Sequence, residues 1–494
     1  MRLAFFIILF IFSSVISFGQ EGNPTDFLSS DFHKDRREAL RNKMPENSVA
    51  VFFANPVRNR SNDMDFVYHQ DPDFYYLTGY KEPHAVLMIY SEDQTNGKGE
   101  TYNEVLYVQE KNPRMEMWTG RRLGVNGAKE DLGFKMAKKG KDFLSANIDY
   151  SQFDKVLFKS FKDDYRDSRR NKADLFNLIE SFKTQIGYGS KSDAKSEEKM
   201  RVELNQEGKM PSTKVKTDTR SVLRYMAELR EIKTKEEMVL LTKAVRISAQ
   251  GQIEVMKAMK PNMSETEIQG IHEYVYKKYG SEYEGYPSIV GAGSNGCVLH
   301  YIENSKMKVA DDLVLMDVGA EYHGYTADVT RTIPADGTFS IEQKAIYDLV
   351  YEAQEAGIDA ARVGRSFGDT DAAARKVITA GLINLGIAKD AADSRRYFPH
   401  GTSHYIGLDV HDSGLYGKHK ANMVITVEPG IYIPDGSPCD KKWYGIAVRI
   451  EDDILITENG PINLSAEAPR TSDAIEAMMR KKSALDDFKL PKLD

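Results

Sequence analysis

Five side chains of metal-ligand type fall at strand-like positions in the second half of this chain. Asp317 and Asp328 lie in LMDVGAEYHGYTADVTRT, His404 in HGTSHYIGLDVHD, Glu428 in VITVEPGIYI and Glu451 in IAVRIEDDILIT. A carboxylate on an apolar strand is expensive when unpaired, because leaving water penalises its charged form, and two such groups side by side also repel. A divalent cation between them removes both costs, so the set reads as a five-ligand site for two metal ions. Four carboxylates, one imidazole and no thiolate point to a hard or borderline ion, Mn²⁺ first, with Zn²⁺ and Co²⁺ as alternatives. Two cations sharing one water lower its pKa and leave a hydroxide able to attack a carbonyl, which makes hydrolysis the chemistry in view.

The elements that must position these groups can be read around them. LVLMDVGA and TADVTRT are short apolar runs separated by the polar, Gly-containing EYHGY, the pattern of a hairpin. A turn centred between Tyr322 and His323 would set Asp317 directly opposite Asp328, with Cβ atoms roughly 4.5–5.5 Å apart. Glu428 ends the apolar run MVITVE, and Glu451 follows Ile446, Val448 and Ile450 on a strand where alternation puts Arg449 on the face of Glu451. Ahead of them, Thr234-Lys235-Glu236-Glu237 is a capping-box pattern before Met238, Leu241 and Val245, and Ser264 with Glu267 repeats it before Ile268, Ile271 and Val275. Helix returns at Ser340, and helices over Ile341 to Ala356 and Asp371 to Leu385 precede the second pair of carboxylate strands. The order helix, helix, strand pair therefore recurs, as in two similar halves closing on a shared site.

Upstream, Ser29 to Tyr150 mixes a helix, FHKDRREALRNKM, with strands SVAVFFAN, HAVLMIY and NEVLYVQ, the pattern of an α/β domain. Asn171 to Ile186 reads as another helix. The polar GYGSKSDAKSEEKMRVELNQEGKMPSTK after it reads as an exposed insertion.

Length and charge bound what such a chain can be. Its 494 residues at 41% hydrophobic suffice for two domains with sizeable cores. A net charge of -7 with no basic stripe argues against a nucleic-acid partner. Met1-Arg2, the apolar run Leu3 to Ile16 and the small-residue pattern Ser17-Phe18-Gly19 read as a cleaved secretory signal over residues 1–19. The run is shorter than the about 20 residues a membrane span needs, so an exported protein, periplasmic or secreted, without stable membrane insertion after cleavage, is expected. Cys297 and Cys439 are the only cysteines, too few for a disulfide framework and better read as packing residues.

Taken together, NGCVLHY, MDVGAEYHGYTADVTRT, HGTSHYIGLDVHD, VEPGIY and RIEDD resemble the creatinase/methionine-aminopeptidase superfamily, most closely its Xaa-Pro aminopeptidase (aminopeptidase P) branch. The resemblance runs from about Phe32 to Ala477. DPDFYYLTGYKEPHAVLMIY and MWTGRRLG resemble that branch's non-catalytic N-terminal domain, which methionine aminopeptidases lack, and creatinases lack the metal carboxylates present here. The implied fold class is α/β (α+β): a creatinase-like N-terminal domain over 25–215, a pita-bread metallopeptidase domain over 220–480, in which helices cover a strongly curved, mainly antiparallel sheet, and a tail over 481–494.

The resemblance also implies roles. Asp317 would hold one ion, Asp328 and Glu451 would bridge both, and His404 with Glu428 would hold the other, Glu428 also shuttling the proton. His411 would donate to the carbonyl oxygen as charge builds there. His300 and His400 would bind substrate beside a proline pocket, and His300 counts with Glu428 and His411 among the catalytic residues. Arg449 would orient the neighbouring Glu451 or meet a substrate carbonyl. The implied activity is removal of the first residue from peptides with proline second; an Xaa-Pro dipeptidase is the alternative, and a non-catalytic binding module the reading from another class. Trp118 is either the aromatic that in some relatives reaches a neighbouring subunit's site, consistent with a homo-oligomer, or a core tryptophan of its own domain. His323 and His419, in turn-like and Lys-rich surroundings, are expected to face solvent.

Overall fold

The computed structural model describes residues 24–167, 171–188, 215–488 and 490–491. The expected leader and most of the polar stretch after Ile186 lie outside these residues.

The first unit is a six-stranded mixed sheet in the order Ala137–Lys139, Thr101–Val108, Val86–Thr95, Ser48–Phe53, Lys155–Phe158, Thr217–Asp218. Ser48–Phe53 is flanked on both sides, antiparallel to Val86–Thr95 and parallel to Lys155–Phe158. Its sequence SVAVFF is apolar without alternation because both faces are covered. One face packs Val49 and Val51 against Phe143, Phe158 and Phe182. The other packs Ala50 and Phe52 into a core that continues through Leu241, Ala244 and Val245 to Tyr325, Ile406 and Leu408 of the second unit. Helix Ser30–Arg41 starts two residues before the expected Phe32, its N-terminus closed by the Ser29 hydroxyl accepting from the Phe32 amide.

The second unit opens with helix Lys235–Ala258, where Thr234 and Glu237 make both bonds of the capping box. Helix Glu265–Lys278 is capped by Ser264, whose hydroxyl accepts from the Glu267 amide at 3.0 Å. Helix Phe367–Asn384 begins four residues before the expected start, because Ser366 and Asp369 form a capping box of their own.

Both carboxylate hairpins are antiparallel, and each is broken in the middle. In the first, Leu313–Val318 pairs with Val329–Pro334, and beyond a gap Ala320–Tyr322 pairs with Tyr325–Thr326. The turn lies at His323-Gly324, one residue further along than expected, so Asp317 faces Thr330 and Asp328 is its diagonal neighbour. His323 and Gly324 both have positive φ, 52° and 90°, the demand of a tight two-residue hairpin turn, which places the turn on the His-Gly pair. The shift keeps both aspartates on one face, since it moves their pairing by two positions. In the second hairpin the register runs from Val427↔Asp452 to Gly430↔Arg449, which sets Glu428 opposite Glu451 across the break. The two hairpins meet where the Glu451 amide donates to the Thr330 carbonyl at 3.1 Å and Thr332 Oγ1 donates to the Arg449 carbonyl at 3.0 Å.

The breaks have sequence causes. At Gly319 a Cβ would stand 1.8 Å from the Ala327 carbonyl oxygen, so only glycine lets the two chains approach there. Pro429, next to Glu428, has no amide hydrogen and cannot continue a ladder. Gly319→Ala is expected to lower the urea midpoint by the equivalent of about 1–3 kcal/mol or more. Gly270→Ala, on a helix with nothing within 4 Å of the new methyl, should instead gain about 0.5–1 kcal/mol. Equal midpoints for the two variants would contradict this account of the break.

Candidate metal centre

The ligand-type residues sit at or beside the two breaks, where a strand stops pairing and its side chains can turn into the space between hairpins. Asp328 immediately precedes Val329–Pro334, Glu428 immediately follows Val424–Val427, and Glu451 lies between Ile446–Arg449 and Asp452–Thr457. His404 comes from a loop laid against the same strands: its amide donates to Thr426 Oγ1 at 3.1 Å and its carbonyl accepts from the Thr426 amide at 2.9 Å.

The five converge. His404 Nε2 is 3.6 Å from Asp328 Oδ2, 3.6 Å from Glu428 Oε1 and 4.0 Å from Glu451 Oε1. Asp328, His404 and Glu451 each present a ligand atom within 4.8 Å of the others. Asp317 joins through Tyr286, whose phenol lies 2.6 Å from Asp317 Oδ1 and 2.5 Å from Asp328 Oδ1.

Around them stands a layer of orienting bonds. His404 Nδ1 lies 3.0 Å from the Tyr405 carbonyl, which can only accept, so Nδ1 carries the proton and Nε2 is the nitrogen available as a ligand. Thr330 Oγ1 donates to Glu451 Oε2 at 2.6 Å, and Asp453 Oδ2 accepts from the Asp328 amide at 3.0 Å. The buried Arg331 guanidinium binds the carbonyls of Glu451 and Thr330 at 2.7 and 2.8 Å. Arg449 Nη2 is 2.5 Å from Asp317 Oδ2, and its Nη1 donates to the Tyr432 hydroxyl at 2.6 Å. Arg449 therefore orients Asp317 on the opposite hairpin, not its sequence neighbour Glu451.

Crowding sets the charge states. Burial and the neighbouring Asp317 raise the Asp328 pKa, and burial with the Asp328 and Glu428 charges takes Glu451 well above the carboxylate range. Burial pushes Glu428 up to about 7. Burial acts the same way on Asp317, but Arg449 outweighs it and holds that carboxyl below its usual value. His404 moves to about 9, burial opposing and Asp328 and Glu428 prevailing. A phenol has one proton, so Tyr286 donates to one aspartate and needs a proton on the other when no cation is bound. An oxygen-rich set whose members hold back protons to escape mutual repulsion, with one imidazole nitrogen aimed inward, fits hard or borderline divalent cations.

Of the softer residues, His400 is 3.6 Å from Glu428, its Nδ1 donating to the Gly401 carbonyl and its Nε2 accepting from the Tyr432 hydroxyl, both at 2.8 Å. Burial and Arg449 lower its pKa to about 4, so the ring is neutral. His411 is exposed, with its ring centroid 4.3 Å from that of His404. Partial desolvation and the nearby His404 and His300 lower its pKa, and His300 is likewise exposed.

Other expectations fail. His323 and His419 are buried, at 3% and 1% exposure, not solvent-facing. His323 is bonded to Glu282 and Asp26, and His419 lies against Phe367. Trp118 is 83% exposed on helix Pro113–Thr119, which has no buried residue, so it is not a core tryptophan. Tyr286, Tyr432, Thr330 and Asp453 were not foreseen. Tyr432 and Asp453 lie inside the quoted motifs and could have been suspected, whereas nothing near Tyr286 in EGYPS announces its role.

Comparison with known proteins agrees with this geometry. Residues 239–458 match metallopeptidase family M24, and residues 33–152 match the aminopeptidase P N-terminal domain. The Xaa-Pro aminopeptidase of Escherichia coli K12 is 35% identical over 456 residues, covering 90% of this chain and 96% of that protein. The Xaa-Pro aminopeptidase of Haemophilus influenzae is 33% identical, covering 92% and 98%. The solved structure of aminopeptidase P from E. coli with the inhibitor Pro-Leu superimposes with a TM-score of 0.79 at 33% identity, covering 92% of this chain and 98% of that one. The chain thus belongs to metallopeptidase family M24, in its Xaa-Pro aminopeptidase branch, and is a metallo-exopeptidase.

Proposed function

We propose that this chain removes the N-terminal residue from peptides whose second residue is proline, using two divalent cations, Mn²⁺ first. The observation that carries the reading is the convergence of four carboxylates from both hairpins with His404 Nε2 from the adjoining loop, Asp317 through Tyr286. Asp317, Asp328, His404, Glu428 and Glu451 are the residues that would hold the cations. Bound there, the cations would supply a hydroxide at neutral pH by lowering the pKa of a shared water.

The chain's own residues do the rest. Glu428, half-buried and 3.6 Å from both His400 and His404, is the carboxylate to take a proton and return it to the leaving nitrogen. His411, exposed at the mouth beside His404, is the donor toward the carbonyl oxygen. His300 and His400 flank the opening as substrate contacts. Arg449, held by Asp317 and Tyr432, fixes one wall of the site. Proline in the second position removes the amide hydrogen and fixes φ, so recognition must come from shape. Exposed Trp118, beside exposed Met117, supports contact with a second copy of the chain in a homo-oligomer, and the apolar leader supports export to the periplasm or beyond.

Two outcomes are expected. After chelation and restoration with single metals, Mn²⁺ should restore hydrolysis of Xaa-Pro-Xaa peptides, and Glu428→Ala should lower kcat by about 10²–10⁴ with its thermal midpoint kept; preference for free Xaa-Pro would favour a dipeptidase. The second concerns pH. Glu428 rises from 4.5 unfolded to about 7 folded, so its contribution to the metal-stripped chain is full below about pH 4.5 and is lost as pH rises through about 7. A cation replaces the proton, so the rise in thermal midpoint on adding Mn²⁺ should grow between those pH values. A rise independent of pH over that window would contradict the assignment.

A further inference from the structure

His323 occupies the first position of a hairpin turn, where a side chain ordinarily points to water, yet its ring is fully covered. Nδ1 lies 2.5 Å from Glu282 Oε1, and the His323 amide donates to Glu282 Oε2 at 2.9 Å. Nε2 lies 2.8 Å from Asp26 Oδ1. Phe27 stacks on the ring, centroids 3.7 Å apart at 26°, and Lys81 Nζ lies 3.4 Å from the centre of the Phe27 ring. Asp26 Oδ2 also accepts from Lys243 Nζ at 2.8 Å and from the Tyr322 hydroxyl at 2.7 Å. The segment just before helix Ser30–Arg41 thus closes over the tip of the hairpin that carries Asp317 and Asp328.

What this closure controls follows from where Glu282 leads. Four residues later comes Tyr286, whose phenol bonds both aspartates. The intervening segment is a strand of only two residues, Tyr283–Glu284, paired as Tyr283↔Glu321 and Glu284↔Ala320 and extended by the Gly285 amide donating to the Gly319 carbonyl at 3.0 Å. So short a pairing holds its register weakly, and a slip of two residues would carry Tyr286 about 6–7 Å along the hairpin. The two bonds from His323 to Glu282 fix the far end of that segment against the same hairpin.

We propose that His323, closed over by Asp26 and Phe27, is a positioning residue: it sets the register of residues 282–286 and thereby holds Tyr286 on Asp317 and Asp328. The inference rests on the reading of those aspartates as metal ligands.

The test uses the full-length chain, with Mn²⁺ affinity by titration calorimetry and kcat and KM for an Xaa-Pro-Xaa peptide. Tyr286→Phe should weaken Mn²⁺ binding about 10- to 100-fold, as loss of a ligand's orienting partner does. His323→Ala should weaken it about 10-fold, lowering kcat with KM within about twofold. The double variant should bind no more weakly than Tyr286→Phe alone, because the two residues act in series. Asp26→Asn, which leaves the turn and the Glu282 bonds in place, should give a smaller loss in the same direction, also absorbed by Tyr286→Phe, and it carries the test if His323→Ala does not fold. Losses that simply add, or variants that bind Mn²⁺ like the parent with only a lower thermal midpoint, overturn the proposal. Failure of the parent to cleave Xaa-Pro peptides while binding Mn²⁺ would reject the proposed substrate and leave this coupling measurable.

Discussion

Four carboxylates brought together out of water repel one another, and most of the second unit answers that constraint. A sheet cannot place them by regular pairing alone, because a ladder sends alternate side chains to opposite faces and spends the backbone groups on its neighbours. Here each hairpin stops pairing for one or two residues, at Gly319 with Ala327-Asp328 and at Glu428-Pro429 with Ile450-Glu451. The interruptions fall at the same point of the two halves, so Asp328, Glu428 and Glu451 come from the bends, Asp317 lies in the ladder two residues before Gly319, and the flanking strands keep the bends rigid. Thr330 and Arg449 then orient the Glu451 and Asp317 carboxylates, while Arg331 and Asp453 hold the backbone at Glu451 and Asp328.

The five ligand-type residues that the structure brings together were legible from the sequence because ligand chemistry is carried by residue type, and type survives any error in register. The hairpins were legible for a similar reason: apolar runs around EYHGY leave few other folds. The register was not, because it depends on which two residues take positive φ, and that is decided by the fit of His323 and Gly324 rather than by where polar residues are densest. Tyr286 and His323 were missed for a different cause. Each gains its partners from segments distant in sequence, Tyr286 from the hairpin beyond it and His323 from Asp26, 297 positions away, and no local pattern encodes such a meeting. Trp118 was left with two readings because bulk and apolarity alone do not separate a core position from an exposed contact, and helix Pro113–Thr119, which stands clear of the core, removes the first.

The first unit contributes to the site without lending it a ligand. Arg230, nearly inaccessible to water, donates to Asp73 on helix Pro72–Thr78 at 2.7 Å and pairs with Asp409 at 3.1 Å and with Asp412. Lys233 reaches Asp412 at 2.8 Å, and Lys159 of the first sheet reaches Asp73 at 2.6 Å. Asp409 and Asp412 belong to the loop that carries His404 and His411, so that loop is tied to the first unit by charges that would be costly to leave unpaired. A buried ion network of this kind adds little net stability over apolar packing, but breaking one member is expensive, so it specifies one arrangement against its alternatives.

The shared core and the charge network together explain why these two units form one structure. Ala50 and Phe52 of the first sheet and Leu241 and Val245 of the long helix pack in one cluster with Tyr322 and Tyr325 of the carboxylate hairpin, so displacing the first unit would uncover the back of that hairpin. Packing of this sort is non-directional and sets distance without setting orientation. The orientation comes from the directional contacts at its edges: Arg230 beside the His404 loop, and His323 beside the hairpin tip. Each links a residue of the first unit or of the segment before it to an element that carries a ligand. A site whose ligands sit on bends and loops needs that second kind of contact, because the bend that frees a carboxylate from the ladder also removes the ladder bonds that would have held it.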